Sequence, residues 1–333
     1  MSVSSPSQRS PMAASTRSPG GLQILSFTGA QSIAFLIMVG LLVLSPTVVY
    51  PVFLMKILCY AIFACSLNLI AGYGGMMSFG HAAYFGIGAY TAAWCTKNWA
   101  ITPEIGILLG GATGALAGLV FGWLAIRRPG MFFTMVTMAI GQAVYFICVQ
   151  APFTNGEDGI QKVPRGQFLG LISLTDNMTM YWLVVLLFLG VFLFLHRLTQ
   201  SPLGHVLKSI RDNEPRATSL GYKTQNFKLI TYVLATFLAG VAGSTKAIVF
   251  GIATLTDVGF NMSGEVVMMA LFGGMGTIFG PVVGATLTAS LSYYLSPFGA
   301  WIYIVQGTVF ALCVLLFRRG IIGEINMRWN TKL

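Results

Sequence analysis

Apolar residues fall in ten blocks separated by short polar breaks, at positions 33–50, 53–71, 77–95, 105–126, 131–149, 181–195, 229–250, 265–278, 282–295 and 301–317. Several of these blocks match the length, about 20 residues, at which a helix crosses the ~30 Å hydrocarbon layer of a bilayer. Helices satisfy their own backbone groups, so a chain patterned this way predicts membrane-spanning helices. The eighth and ninth blocks are short and interrupted by Gly273-Gly274-Met275-Gly276 and Gly280-Pro281. They read as half-helices or re-entrant pieces, which are tolerated where protein or water surrounds the freed backbone. The expected fold is an all-α polytopic membrane protein of about 8–10 transmembrane helices, some short or broken.

Composition excludes the alternatives. The 333 residues are 56% hydrophobic and 8% charged, where a soluble domain carries about 25% charged residues. The net charge of +10 could suggest nucleic acid, but no water-facing basic domain exists to bind it. The charges report topology instead. Fourteen Lys or Arg lie in the loops containing Arg127-Arg128, Arg197 to Lys228 and Arg318-Arg319 and in the two terminal segments, against five in the opposite loops. By the positive-inside rule both the N-terminus and the C-terminus are expected in the cytoplasm. Trp182, Trp301, Tyr50 and Tyr181 fall near the outer span ends, where amphipathic aromatics favour the headgroup level.

Three parts follow. Residues 1–28, rich in Ser, Pro and Thr, lack the apolar run of a signal peptide and are expected to be a disordered cytoplasmic tail. Residues 29–320 form the transmembrane domain, with a long cytoplasmic loop at 196–228, and 321–333 form a cytoplasmic C-terminal tail. Cys59, Cys65, Cys95, Cys148 and Cys313 all lie in apolar segments with no Cys-x-x-Cys pair, so they read as packing residues and no metal site is expected.

The loop predicts two short helices. Ser201 is placed to cap the first, with Pro202 in its first turn; Asn213 is placed to cap the second before Glu214 and Pro215, and Gly221 to end it. Leu203, Val206, Leu207 and Ile210 recur at helical spacing, as do Ala217, Leu220 and Gly221. Within the spans, Asn68, Ser78, His81, Gln142 and Glu265 are polar residues on apolar stretches and are the candidates for a translocation path. Glu265 opens the eighth block and could simply cap it, His81 could orient a helix break, and Asn68 suits a helix-to-helix hydrogen bond. Gly74-Gly75-Met76 with Phe79-Gly80 is echoed by Gly273-Gly274-Met275 with Phe279-Gly280, as in folds built from repeated halves with broken helices.

Gly204, Arg211-Asp212-Asn213-Glu214, Ala217 and Leu220-Gly221, followed by Lys228-Leu229, resemble the cytoplasmic loop of ABC transporter permeases. With Ser66 to Tyr90, the run Gly273 to Thr277, Gly280 to Ala285, and Asn155 to Ile160 in the same order, the chain is similar to the branched-chain amino acid permease family, LivM type, over about residues 50–320. The resemblance implies a transport subunit beside a second homologous permease, two cytoplasmic ATP-binding subunits and an extracytoplasmic solute-binding protein, in a bacterial-type inner membrane. It assigns Gly204, Arg211, Asn213, Glu214, Ala217 and Gly221 to a loop that couples to the ATPase. Pro215 departs from the family pattern and leaves the start of the second helix uncertain by a residue or two.

The chain has no Gly-x-x-x-x-Gly-Lys-Ser/Thr loop, so it is not expected to be an ATPase or other enzyme, and no cofactor is implied. A urea or short-amide ABC permease is the nearest alternative. A secondary transporter would need acids near mid-span, and none of the nine falls clearly there. A passive channel is a further alternative. A hydrolase pairing Ser78 or Ser263 with His81 lacks any Gly-x-Ser-x-Gly turn.

Overall fold

The computed structural model describes residues 29–128, 130–168, 170, 172–299, 301–316 and 320–329. Each of the ten apolar blocks carries a helix: α1 (Gly29–Leu44), α2 (Pro51–Asn68), α3 (His81–Asn98), α4 (Pro103–Ala125), α5 (Met131–Gln150), α6 (Asn177–Gln200), α9 (Thr224–Phe250), α10 (Phe260–Gly273), α11 (Gly280–Leu295) and α12 (Trp301–Leu316). The loop between α6 and α9 forms α7 (Pro202–Asp212) and α8 (Glu214–Ser219). The final segment is α13 (Ile321–Trp329), so helix extends into the predicted C-terminal tail; the predicted N-terminal tail, residues 1–28, lies outside the described residues.

Among the described residues, five helices are long and apolar enough to cross a membrane: Pro51–Tyr73, Pro103–Ala125, Met131–Gln150, Asn177–Gln200 and Thr224–Phe250. The first of these exceeds α2 because a π-helical turn, Leu69–Tyr73, continues it. Proline sets several starts: Pro51, Pro103, Pro202 and Pro281 each sit in a first turn, where the missing N–H has no intrahelical partner to lose. α10, with 14 residues, reaches only ~21 Å and fits the expectation of a short, broken span.

The centre of the bundle is built on small residues. Gly106, Gly110, Gly114, Gly118 and Gly122 are all buried on one face of α4, every fourth residue, and the stripe lets α9 and α3 approach to backbone contact. A Cβ on Gly114 would lie 2.8 Å from the Thr236 carbonyl oxygen, and one on Gly88 of α3 would overlap the Gly240 backbone. Around this seam Phe63, Phe85, Tyr84, Tyr181, Phe188, Phe192 and Tyr232 are fully buried. Cys59, Cys65, Cys95 and Cys148 are buried free thiols. Apolar side chains at the periphery face outward, among them Leu41 of α1, Val120 of α4, Phe132 of α5, Leu186 of α6 and Leu315 of α12, as lipid or a second membrane subunit requires.

The loops separate into two ends. At one end the segment 151–176 folds back on the α9–α10 connection: Ile160–Gln161 pairs antiparallel with Ile252–Ala253, and the Arg165 guanidinium donates to the Val249 carbonyl at 2.8 Å and to Asn177 Oδ1 at 2.7 Å. The other end holds α7, α8 and the breaks after α2 and α10.

Two readings need correction. Tyr181 is not a headgroup anchor: it is fully buried, donates to the Leu42 carbonyl at 2.6 Å and lies 3.0 Å from Ser45 Oγ, tying α6 to α1. Glu265 does not open or cap its span, because α10 begins at Phe260 and places it in the second turn. Tyr50 and Trp182 are exposed, while the Trp301 side chain lies outside the described residues.

Candidate functional site

The α7–α8 pair is set up by its caps. Ser201 Oγ accepts from the Gly204 amide at 3.5 Å, and Asn213 Oδ1 accepts from the Arg216 amide at 3.0 Å, so Glu214 and Pro215 occupy the first turn of α8. Gly204 sits where the chain turns back over the end of α6; a Cβ there would collide with the Thr199 carbonyl. Gly221, at φ +89°, ends the pair in a conformation costly for other residues. Leu207 and Ile210 of α7 and Ala217 of α8 are buried. Leu220 is not: it is 72% exposed, leaving an apolar side chain in the open beside the exposed Asn213 and Arg216. Glu214 pairs with Lys228 of α9 at 2.5 Å, which fixes α8 to the start of that helix.

Arg211 reaches inward from this pair. Its Nη1 donates to the Gly72 carbonyl at 2.5 Å, and its aliphatic stem covers Gly75, where a Cβ would lie 2.7 Å from the Arg211 Cγ. Gly72 in turn touches Gly276 across the α2 and α10 breaks: a Cβ on Gly72 would stand 2.5 Å from the Gly276 amide nitrogen. Asn68 closes the contact, donating through Nδ2 to the Thr277 carbonyl at 2.8 Å and accepting from the Gly276 amide at 2.8 Å through Oδ1. The two Gly-Gly-Met segments that echo one another in sequence are thus neighbours in space, with positive φ at Gly75 (+67°) and Gly274 (+107°). Beside them a cavity of about 450 Å³ is walled by Met76, Met77, Phe133 and Thr134 and mouthed by Arg128, Arg211, Asp212 and Glu214. Thr134 donates to the Met77 carbonyl at 3.0 Å, holding α5 to the break.

The remaining candidate residues are dispersed. Ser66 donates to the Phe63 carbonyl at 2.7 Å, so the 2.9 Å contact with His81 Nε2 is a bond the imidazole donates. His81 is fully buried and stacks on Phe63 at 5.5 Å, and its Nδ1 has no partner among the described residues. It serves as an anchor at the start of α3 and is not among the residues that line the cavities beside Arg211 or Glu265. Ser78 is fully buried in the same break. Gln142 is half-buried on α5, next to Gly141, whose Cβ would lie 3.1 Å from Gly80 Cα. Glu265 lies apart from all of these, on a cavity of about 340 Å³ that also borders Lys246 and Asp257 at the opposite end.

Nothing in the sequence signalled the partners that Ser263, Lys228 and Lys246 find: Ser263 Oγ accepts the Ala82 amide at 3.1 Å and so caps α3 from α10, Lys228 pairs with Glu214 and Lys246 with Asp257. The every-fourth-residue glycines of α4 were visible in the sequence and are the signal that would have located the seam.

A glycine-seamed helical bundle with two broken spans and an amphipathic helix pair at one end defines a multi-pass membrane protein. The chain belongs to the family described as branched-chain amino acid transport system / permease component, which matches residues 51–315. It is 25% identical over 286 residues to the high-affinity branched-chain amino acid transport system permease protein LivM of Salmonella typhimurium, covering 79% of this chain and 67% of that one. It is also 25% identical to BraD of Pseudomonas aeruginosa, covering 80% and 92%, and 23% identical to LivH of Escherichia coli, covering 80% and 91%. No solved structure matches the chain. The protein is a transport permease.

Proposed function

We propose that this chain is one of two membrane-spanning subunits of an ABC importer for branched-chain or related amino acids, driven by separate ATP-binding subunits and fed by an extracytoplasmic binding protein. The single observation that carries this reading is the fastening of the α7–α8 pair, through Arg211, to the point where the breaks of α2 and α10 meet. A partner pressing on α8 would find exposed Asn213, Arg216 and Leu220 and would move both breaks through one guanidinium. The relatives support the substrate class, since those compared carry branched-chain amino acid transport in their names.

In this reading both termini and residues 196–228 face the cytoplasm of a bacterial inner membrane, and Gly204, Arg211, Asn213, Glu214, Ala217 and Gly221 form the coupling element. Asn68, Ser78 and His81 act as fixed points that shape the path's inner end without contacting substrate. The sparse chemistry inside fits a transporter whose binding protein does the selecting.

The deciding experiment is uptake of labelled leucine into liposomes. The chain alone should import nothing and hydrolyse no ATP; the chain with a second permease, two ATPases and a leucine-loaded binding protein should import in proportion to ATP hydrolysed. Uptake by the lone subunit driven by a proton or sodium gradient would overturn the reading.

A further inference from the structure

The cavity of about 450 Å³ beside the α2 break has an electrically unbalanced wall. Arg128, Arg211 and Lys228 line it against Asp212 and Glu214, three positive charges to two negative, which leaves a net +1. Arg211 is matched to Asp212 at 3.3 Å and Lys228 to Glu214 at 2.5 Å. Arg128 is left over: among the described residues it makes no ion pair. The inner wall behind these charges is apolar, with Met76, Ile126 and Phe133.

Arg128 stands where the chain leaves α4 and enters α5, and both helices present apolar surface to the outside at that level. Trp123, in the last turns of α4, is 56% exposed, and the Arg127 guanidinium lies 3.7 Å above its ring. An exposed indole stacked with a cation suits the headgroup layer of a bilayer. On α5, Met131, Phe132 and Met135 are exposed immediately beyond the arginine. The mouth of the cavity therefore opens at the depth of lipid headgroups, with a surface fit for acyl chains next to it. A phosphodiester carries one negative charge and would bring the wall to neutrality. The headgroup of a zwitterionic lipid brings its own ammonium to the same phosphate and leaves the imbalance in place.

We propose that this cavity binds the headgroup of an anionic phospholipid, with its phosphodiester on Arg128 and its acyl chains against Phe132 and Met135. One wall is α5, which Thr134 holds to the break through the Met77 carbonyl, and the other is α7, which Arg211 holds to the same break. A seated lipid thus ties the α7–α8 pair to α5 from the membrane side. The site rests on no assignment of substrate, of partner subunits or of which end faces the cytoplasm.

The test is native mass spectrometry of the transporter purified from its membrane in detergent and titrated with phosphatidylglycerol, phosphatidylcholine or inorganic phosphate. Phosphatidylglycerol should bind on the order of ten-fold more tightly than phosphatidylcholine, the worth of one charge-assisted hydrogen bond. Arg128→Gln should erase that preference. Arg127→Gln removes the same charge one residue away, outside the cavity lining, and should keep most of it. Phosphatidylglycerol carrying a diazirine on its acyl chain should cross-link within residues 131–135 of the wild type and lose those cross-links in Arg128→Gln. Equal affinity for the two lipids, or equal losses from the two arginine variants as diffuse surface charge would give, would overturn the site. Displacement of phosphatidylglycerol by inorganic phosphate at matching concentration would overturn the lipid and leave a free-anion site in its place. No readout involves import, so the permease reading stands or falls apart from this one.

Discussion

The Arg211 guanidinium donates to the carbonyl oxygen of Gly72 at 2.5 Å, across 139 residues of sequence. That carbonyl belongs to the π-helical turn that ends the α2 span, and it is free to accept because the helix stops there. A charged donor on a backbone acceptor gives a shorter, stiffer tether than a neutral one. In the assembled importer, Arg211→Ala should lower transport per ATP hydrolysed by roughly ten-fold, the worth of one such bond, while leaving ATPase activity in place. Arg211→Lys should recover part of the loss, since its stem still covers Gly75 and an ammonium can donate, but it lacks the planar guanidinium's fixed donor geometry. Full coupling in Arg211→Ala would sink the tether.

Ala217 is 2% exposed beneath α8, and Glu214 is held to Lys228. Ala217→Trp should lift α8 from the bundle, and Glu214→Lys should set two ammonium groups against each other. Both are expected to hydrolyse ATP without import, with leucine affinity of the binding protein unchanged. Wild-type transport by variants that insert normally would remove α8 from the coupling role.

Asn68 satisfies two backbone groups on the opposite break with one side chain. Asn68→Ala strands both, at about 1–3 kcal/mol each. Asn68→Asp keeps the acceptor for the Gly276 amide but loses the donor to Thr277. Thermal inactivation midpoints in detergent should therefore fall in the order wild type, Asp, Ala; identical midpoints for all three would show that the bridge contributes nothing.

Glycine matters on α4 where α9 and α3 approach. Gly114→Ala should destabilise by about 1–3 kcal/mol through overpacking, because its Cβ would face the Thr236 carbonyl at 2.8 Å and Gly240 Cα at 3.2 Å. Gly190→Ala on α6 has nothing within 4 Å and should be neutral or better. Parallel unfolding of the two variants checks the contrast.

Sidedness follows from labelling. A membrane-impermeant thiol reagent added to intact cells should modify a cysteine placed at Asp158 and miss one at Lys208. The reverse pattern would invert the bundle.

The fold was largely legible because hydropathy measures the same property that places a helix in lipid. All ten apolar blocks became helices, with ends displaced by a few residues where composition and backbone disagree. The eighth block was expected to begin at Glu265, but hydropathy does not register that Phe260 and Asn261 already lie in the helix. The loop was readable to its caps, since Ser201, Asn213 and Gly221 act on neighbours three residues away or less. The candidate path was less readable. Asn68 finds its partners more than 200 residues on, and polarity alone cannot distinguish a residue that bridges two backbones from one that faces a cavity. His81, Asn68 and Glu265 look alike in sequence and stand in three different environments.

The seam joining α3, α4 and α9 is made of backbone against backbone, and that limits how the protein can move. Interfaces built from long side chains can slip, because rotamers exchange as one helix slides past another. Gly88, Gly110 and Gly240 have no side chains to exchange, and a shift along the seam would drive carbonyls into Cα atoms at once. The three helices therefore behave as a single plank. The compliance must reside at its borders, among them residues 74–80, which carry the chain into α3 without α-helix.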